Sequence, residues 1–297
     1  MLISVVWRLR PLREAQLPPT LGRAIHGLFF SVVKEADPAL AERLHPPQGS
    51  RGPVKFTTSP LRGPLVSRNG LAQLSPEREY WLRFTSLDRE LSQLLLDPPR
   101  IGAFELVGVP FEIVQIEREP GPHRWARWVG RTDFVSLYEK WFIHRKQPPK
   151  RIGLEFCSPT TFQQGRVTAP FPMPRLVFLT LADKWNAFSP VHLGADINET
   201  IEEFLELRWY RLRTRSLRLP YAREPEIGFV GQCVYRIRPR VKEADLLLRV
   251  INLLADFAFY AGVGGKTAMG LGQTRRLALD RASRDRVSLS EPSSVGL

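Results

Sequence analysis

Each half of this 297-residue chain orders its apolar runs as strand, helix, strand, strand, helix, strand. Three observations turn that order into a fold prediction. The order β-α-β-β-α-β is the split unit of the ferredoxin-like fold, and it occurs twice. A hydrophobic content of 43% over 297 residues supplies two ordinary cores. Between Gly262 and Gly272, five of eleven residues are glycine, a density that neither helix nor strand formation explains. The predicted class is α+β: two tandem ferredoxin-like βαββαβ domains, residues 1–145 and 146–279, with a C-terminal glycine-rich loop. Residues 280–297 lack periodicity and read as a disordered tail.

In the first half, Leu2 to Arg10 is a strand, ended by the Pro-rich segment to Pro19. Thr20 is placed to cap a helix from Leu21 to Glu35, where Leu21, Ile25, Leu28, Phe29 and Val32 recur at helical spacing. Asp37 and Pro38 then supply an N-cap and a first-turn proline for a short helix to Leu44, with His45 just beyond it. Val54–Leu61 and Glu79–Leu87 read as strands, Asp88 opens a helix to Leu96, and Ala103–Glu117 is a long β-rich run. Thr132-Asp133 caps a helix through about Ile143, and Lys146–Lys150 is a basic linker.

The second half repeats the pattern with one inserted helix. Arg151–Cys157 is a strand, Met173–Phe188 a helix, and Asp196–Leu207 an acidic helix capped by Asp196. Strands at Arg208–Leu219 and Glu226–Pro239 follow, then a helix Glu243–Phe259, the glycine stretch, and a closing strand Met269–Leu279.

A formal charge of +13 and a pI near 10.3 point to a polyanionic partner, nucleic acid before an acidic membrane surface. No apolar run approaches the roughly 18 residues of a membrane span. The N-terminus reaches charge too early for a signal peptide, so a soluble, cytoplasmic protein is expected. Cys157 and Cys233, each inside an apolar run, read as buried thiols rather than disulfide or zinc ligands. Gly265-Lys266-Thr267 looks like the end of a phosphate-binding P-loop, but Tyr260 stands where that motif needs glycine, and the local order is helix, loop, strand.

The basic residues cluster. Arg208, Arg211, Arg213, Arg215 and Arg218 crowd one strand, with Arg211, Arg213 and Arg215 on a single face, and Arg236, Arg238 and Arg240 extend the patch. With Trp209 and Tyr210 interleaved, forks for phosphate and rings for bases lie together, as a groove for single-stranded or hairpin RNA requires. His123–Arg131 is a second, looser basic and aromatic segment. Among the five histidines, His26 lies on the first helix and His45 just after the second, where they could face each other; His123, His144 and His192 lack metal-ligand spacing. Two imidazoles beside a basic groove suit RNA cleavage by its own 2′-hydroxyl, with a cation such as Lys55 on the phosphorane. The alternative reading makes His26 a packed helix residue and His45 a helix cap.

Four stretches in order resemble the CRISPR repeat-processing endoribonucleases, the sixth Cas family. They are Leu21-Gly-Arg-Ala-Ile-His-Gly-Leu-Phe-Phe through Leu44-His45 and Lys55-Phe-Thr-Thr-Ser-Pro-Leu61; Phe156-Cys-Ser-Pro-Thr-Thr-Phe162; Pro170-Phe-Pro-Met-Pro174 with Leu181–Trp185; and Gly262–Gly272. The resemblance implies ferredoxin-like, RRM-like domains and metal-independent cleavage of precursor CRISPR RNA. The products would carry a 2′,3′-cyclic phosphate and a 5′-hydroxyl, and no cofactor is needed. It implies catalytic roles for His45, Lys55 and a first-helix residue. Where relatives carry tyrosine this chain has Phe30, so His26, with Arg23, is the substitute. Gly262, Gly264, Gly265 and Lys266 are then expected to bring backbone N–H groups and charge to RNA. Precursor repeat RNA is the implied partner, with other Cas proteins of an effector complex and a second copy as further candidates. A non-cleaving RNA-binding subunit and an unrelated nucleic-acid-binding module are the competing functions.

Overall fold

A computed structural model of the chain describes residues 1–45, 52–99, 102–194, 197–217, 225–237 and 244–279. The chain opens with β1 (Leu2–Pro11), whose first six residues are all buried. The strand is apolar throughout because both faces are covered: Ile3, Val5, Trp7 and Leu9 enter one core, while Leu2 and Val6 join two others. Next come β2 (Ala15–Leu17), α1 (Gly22–Ala36), α2 (Pro38–Leu44), β3 (Phe56–Thr58), β4 (Val66–Arg68), β5 (Leu71–Leu74) and β6 (Tyr80–Ser86). The half closes with α3 (Arg89–Leu96), β7 (Phe104–Leu106), β8 (Val109–Glu117), β9 (Gly130–Thr132) and α4 (Phe134–Glu139), which runs into a π-helical turn at Lys140–His144. The main sheet is antiparallel in the order β3-β6-β1-β8-β7, with β9 beside the start of β1.

The second half contains β10 (Arg151–Thr160), β11 (Phe162–Gln164), β12 (Val167–Ala169), α5 (Pro174–Phe188), α6 (Ile197–Phe204), β13 (Leu205–Leu217) and β14 (Glu226–Ile237). Then follow α7 (Ala244–Ala261), a 3₁₀ turn at Thr267–Met269, and β15 (Thr274–Leu277). Its sheet is antiparallel in the order β13-β14-β10-β15. Counting principal strands along the chain, both sheets place them second, third, first, fourth. Asp37, Asp88 and Asp133 cap α2, α3 and α4 by accepting backbone N–H bonds at Leu40, at Glu90 and Leu91, and at Ser136.

Several expectations need correction. Leu21, not Thr20, occupies the N-cap of α1, with no side-chain cap bond. The acidic helix ends at Phe204 rather than Leu207, because Leu205 and Leu207 already pair with β14 and face its core. Ala103–Glu117 is a hairpin turning at Val107-Gly108. The closing strand begins at Thr274, Met269 lying in the 3₁₀ turn. Two small sheets, β2-β5-β4 and β11-β12, were not expected; the Asn69-Gly70 pair between β4 and β5 is a hairpin signal the sequence carried. Asp196 and residues 280–297 lie outside the described residues.

The cores do not respect the halves. Leu2, Leu87, Phe134, Leu137 and Trp141 pack with α5, α7 and β14, while Ala268 of the glycine-rich turn packs among α1, β3 and β6. A segment from each half is thus buried in the other.

Candidate active site

His26 projects from α1 beside its buried stripe, half-buried between the rings of Phe30 at 4.8 Å and Phe56 at 5.8 Å. Its Nδ1 lies 3.1 Å from the carbonyl oxygen of Ala268. A carbonyl only accepts, so Nδ1 carries the hydrogen and Nε2 keeps the lone pair. Burial lowers the His26 pKa below 6.5; the Ala268 bond works against that shift, and the charges of His45 and Arg23 add to it. His26 therefore stands as a neutral imidazole near pH 7.

His45 occupies the C-cap of α2, its backbone N–H shared between Ala41 O at 3.3 Å and Glu42 O at 3.2 Å. Its exposed ring stacks on Phe30 with centroids 4.0 Å apart and planes 19° from parallel. Phe30 is in contact with both imidazoles, and Arg23 stands one turn before His26 on α1. Lys55 precedes Phe56, whose ring meets His26. Its ammonium lies 2.9 Å from Asp88 Oδ2, lining a separate cavity with Met1, Arg89 and Asp133. Burial alone would raise the Asp88 pKa, but hydrogen bonds from Lys55 and the Leu91 N–H hold it below the usual value.

The glycine stretch packs closely against the rest of the chain. The N–H groups of Gly262, Val263, Gly265 and Gly272 are bonded to Ala258, Gly272, Thr161 and Pro159 carbonyls. Those four donors are thus consumed inside the protein instead of being held out to phosphate. Gly264 sits at φ +78°, and a Cβ there would lie under 3.0 Å from Thr161 O. Gly22, at the start of α1, meets Met269 O just as closely. The glycines let the turn wedge between β10 and α1, which delivers the Ala268 carbonyl to His26 and to the Thr58 hydroxyl, 3.0 Å away. Gly265 and Lys266 remain exposed at the tip, with the Lys266 ammonium paired to Glu226.

The arginine strand is β13, at the edge of the second sheet. Arg211, Arg213 and Arg215 face Gln232, Val230 and Gly228 of β14 in register, all exposed, while Leu212 between them packs toward the core. Arg208 falls in a bulge between Leu207 and Trp209, which shifts the alternation so that Leu207 and Leu212 share the core face. No ion pair holds these four guanidinium groups among the described residues. Arg236 is half-buried on β14 between Glu206 and Arg151. Arg218, Arg238 and Arg240 lie outside the described residues.

Sequence reasoning missed the buried polar groups that set this geometry. The Arg83 guanidinium, fully enclosed on β6, bonds Ser4 Oγ at 2.7 Å, the Gln273 side chain and the Phe259 carbonyl, between the rings of Trp128 and Phe259. With no carboxylate paired to it among the described residues, burial pushes its pKa down to about 9. Gln273 in turn donates to Thr57 Oγ1 at 3.1 Å and Thr58 O at 2.9 Å. Lys184 is buried on α5 with its pKa pushed down to about 7 by desolvation. A signal existed: Lys184 falls seven residues after Val177 and three after Leu181, on the helix's apolar stripe, and Arg83 interrupts an apolar strand.

A family model described as CRISPR Cas6 N-terminal domain matches residues 1–139, and one described as CRISPR-associated endoribonuclease Cas6 matches residues 154–274. A CRISPR-associated endoribonuclease Cas6 of Mycobacterium tuberculosis is 25% identical over 276 residues, 89% of this chain and 74% of that protein. A solved Cas6 product complex superposes with a TM-score of 0.71 at 26% identity, covering 93% of this chain and 100% of that one. A Thermus thermophilus Cas6 gives a TM-score of 0.65 at 27% identity over 93% and 98% of the two chains.

Proposed function

The chain belongs to the CRISPR-associated Cas6 endoribonuclease family, and on that footing we propose a metal-independent cleavage of precursor CRISPR RNA within its repeats, carried out by His26 and His45. The observation that carries the proposal is the pair of imidazoles set about Phe30, one of them locked by Ala268 O. Nε2 of neutral His26 takes the proton of the 2′-hydroxyl, whose oxygen attacks the adjacent phosphorus. The bond from phosphorus to the 5′-oxygen breaks, and His45 gives that oxygen a proton. The fragments end in a 2′,3′-cyclic phosphate and a 5′-hydroxyl. Arg23, whose charge His26 feels, and Lys55, whose side chain stays partly exposed beside Asp88, are the cations offered to stabilise the phosphorane.

The RNA is held by the exposed β13 arginines Arg208, Arg211, Arg213 and Arg215, with Arg236 beside them; Gly265 and Lys266 are the exposed part of the glycine turn that can reach it. The strand order common to both sheets supports two ferredoxin-like, RRM-like domains, divided near residues 145 and 146, with α4 packed into the second core. Other Cas proteins and a second copy are candidate partners, and the cytoplasm is the proposed compartment.

Cleavage of a cognate repeat RNA in EDTA tests the mechanism. Undiminished cutting is expected, and a strict requirement for added Mg²⁺ would overturn it. His26→Ala and His45→Ala should each slow single-turnover cleavage by about 10²–10⁴-fold while still binding RNA. Unchanged rates in both would remove the site assignment.

A further inference from the structure

Lys184 has no role in the chemistry above, yet its position is costly. An unpaired ammonium taken out of water forfeits several kcal/mol of solvation, and no ion pair compensates Lys184 among the described residues. What it has is three oxygens for three N–H donors: Ala261 O at 2.8 Å, Gly262 O at 3.3 Å and Thr267 Oγ1 at 3.4 Å. The first two end α7 and lie at the negative pole of its 18-residue dipole, where a cation is favoured. The third begins the 3₁₀ turn whose next residue, Ala268, offers His26 its carbonyl.

The neighbouring carbonyls are held from the other side. Arg83 donates to Phe259 O, and the Thr85 hydroxyl donates to Tyr260 O at 2.7 Å, both from β6 of the first sheet. Four consecutive carbonyls, 259 to 262, are thus fastened, the first two to the first sheet and the last two to α5. The turn that follows has little freedom to drift from α1.

We propose that Lys184 is a positioning residue for His26: by holding Ala261, Gly262 and Thr267 it fixes the turn whose Ala268 carbonyl selects the Nδ1–H tautomer and leaves Nε2 to the RNA. The functional half of this statement rests on the reading of His26 as the base. The structural half does not, because the tautomer is readable without RNA.

The test is Lys184→Met, which keeps length and apolar bulk but removes every donor. In protein labelled with ¹⁵N-histidine, two-bond ¹H–¹⁵N correlation reports which ring nitrogen of His26 carries the hydrogen, the signal being assigned by its loss in His26→Ala. The unsubstituted protein should show Nδ1–H alone. In Lys184→Met the signal should move toward the Nε2–H form that free histidine prefers. Single-turnover cleavage should fall about 10²-fold, as expected for a misplaced catalytic group, with affinity for an uncleavable repeat RNA changed by no more than a few-fold. Thr267→Val keeps the methyl that packs on Gly262 and Gly272 and removes only the hydroxyl, so it should shift the tautomer the same way by less. It decides the question if Lys184→Met does not fold. A folded variant with His26 still entirely Nδ1–H overturns the proposal. A shifted tautomer with an unchanged cleavage rate supports the clamp and removes His26 as the base.

Discussion

Half-burial of His26 beside Phe30 and Phe56 penalises the imidazolium, and the Ala268 carbonyl recovers only part of that cost, so the pKa ends below 6.5. The neutral ring is the active base, hence on the acid side the rate falls as pH drops through this lowered pKa. The acid limb of a single-turnover pH–rate profile is expected below pH 6.5, where an unshifted histidine would place it; a limb above 6.5 would contradict the burial argument. The stability consequence has the same direction. The unfolded chain binds this proton more readily than the folded one, so His26 favours the fold above pH 6.5, and that contribution declines as pH falls toward the lowered folded-state value. Both histidines were legible as residues worth singling out. Their relation through Phe30 was not, since stacking at 4.0 Å depends on where α2 ends against α1.

At the scale of the element, the glycine-rich turn and the arginine strand were both visible in sequence, for different reasons. Alternation along β13 is a local property of a strand, so the exposed face of Arg211, Arg213 and Arg215 followed from spacing alone, while the bulge at Arg208 did not. Glycine density marked Gly262–Gly272 as special but did not say whether it met a ligand or another part of the chain. The close approach to Thr161 gives a packing reason for glycine at 264 and yields a contrast between neighbours. Gly264→Ala should lower stability by about 1–3 kcal/mol, read as a fall in melting temperature, because it adds a clash at positive φ. Gly265→Ala should be close to neutral, its Cβ meeting nothing nearer than 3.9 Å. Equal losses in both would mean that the turn is looser than the close approach to Thr161 implies.

Over the whole molecule, the charge of +13 sets the long-range behaviour toward RNA, and β13 supplies four exposed guanidinium groups without ion-pair partners among the described residues. Binding of repeat RNA should weaken steeply with salt as counterions are released. Arg213→Ala should flatten the plot of log K against log salt by about 0.7–0.9, the contribution of one phosphate contact. An unchanged slope would take Arg213 out of the RNA surface. The same scale explains the buried cations. Arg83 would be a liability in the first half alone, and the seam between the sheets gives it the Gln273 and Phe259 oxygens, whereas Lys184 finds its oxygens within its own half, at the end of α7 and in the turn beyond it.

Periodicity, capping residues and net charge are read by each segment locally, and they determined the two βαββαβ element orders, the aspartate caps of α2, α3 and α4, the basic strand and the pair of histidines. Contacts between residues 242 and 190 positions apart, His26 with Ala268 and Arg83 with Gln273, depend on how two sheets dock. No local pattern encodes such a distance. The tertiary structure alone decided that the N–H groups of Gly262, Val263, Gly265 and Gly272 are bonded inside the protein, that Lys55 pairs with Asp88, and that His26 presents Nε2 as its basic nitrogen.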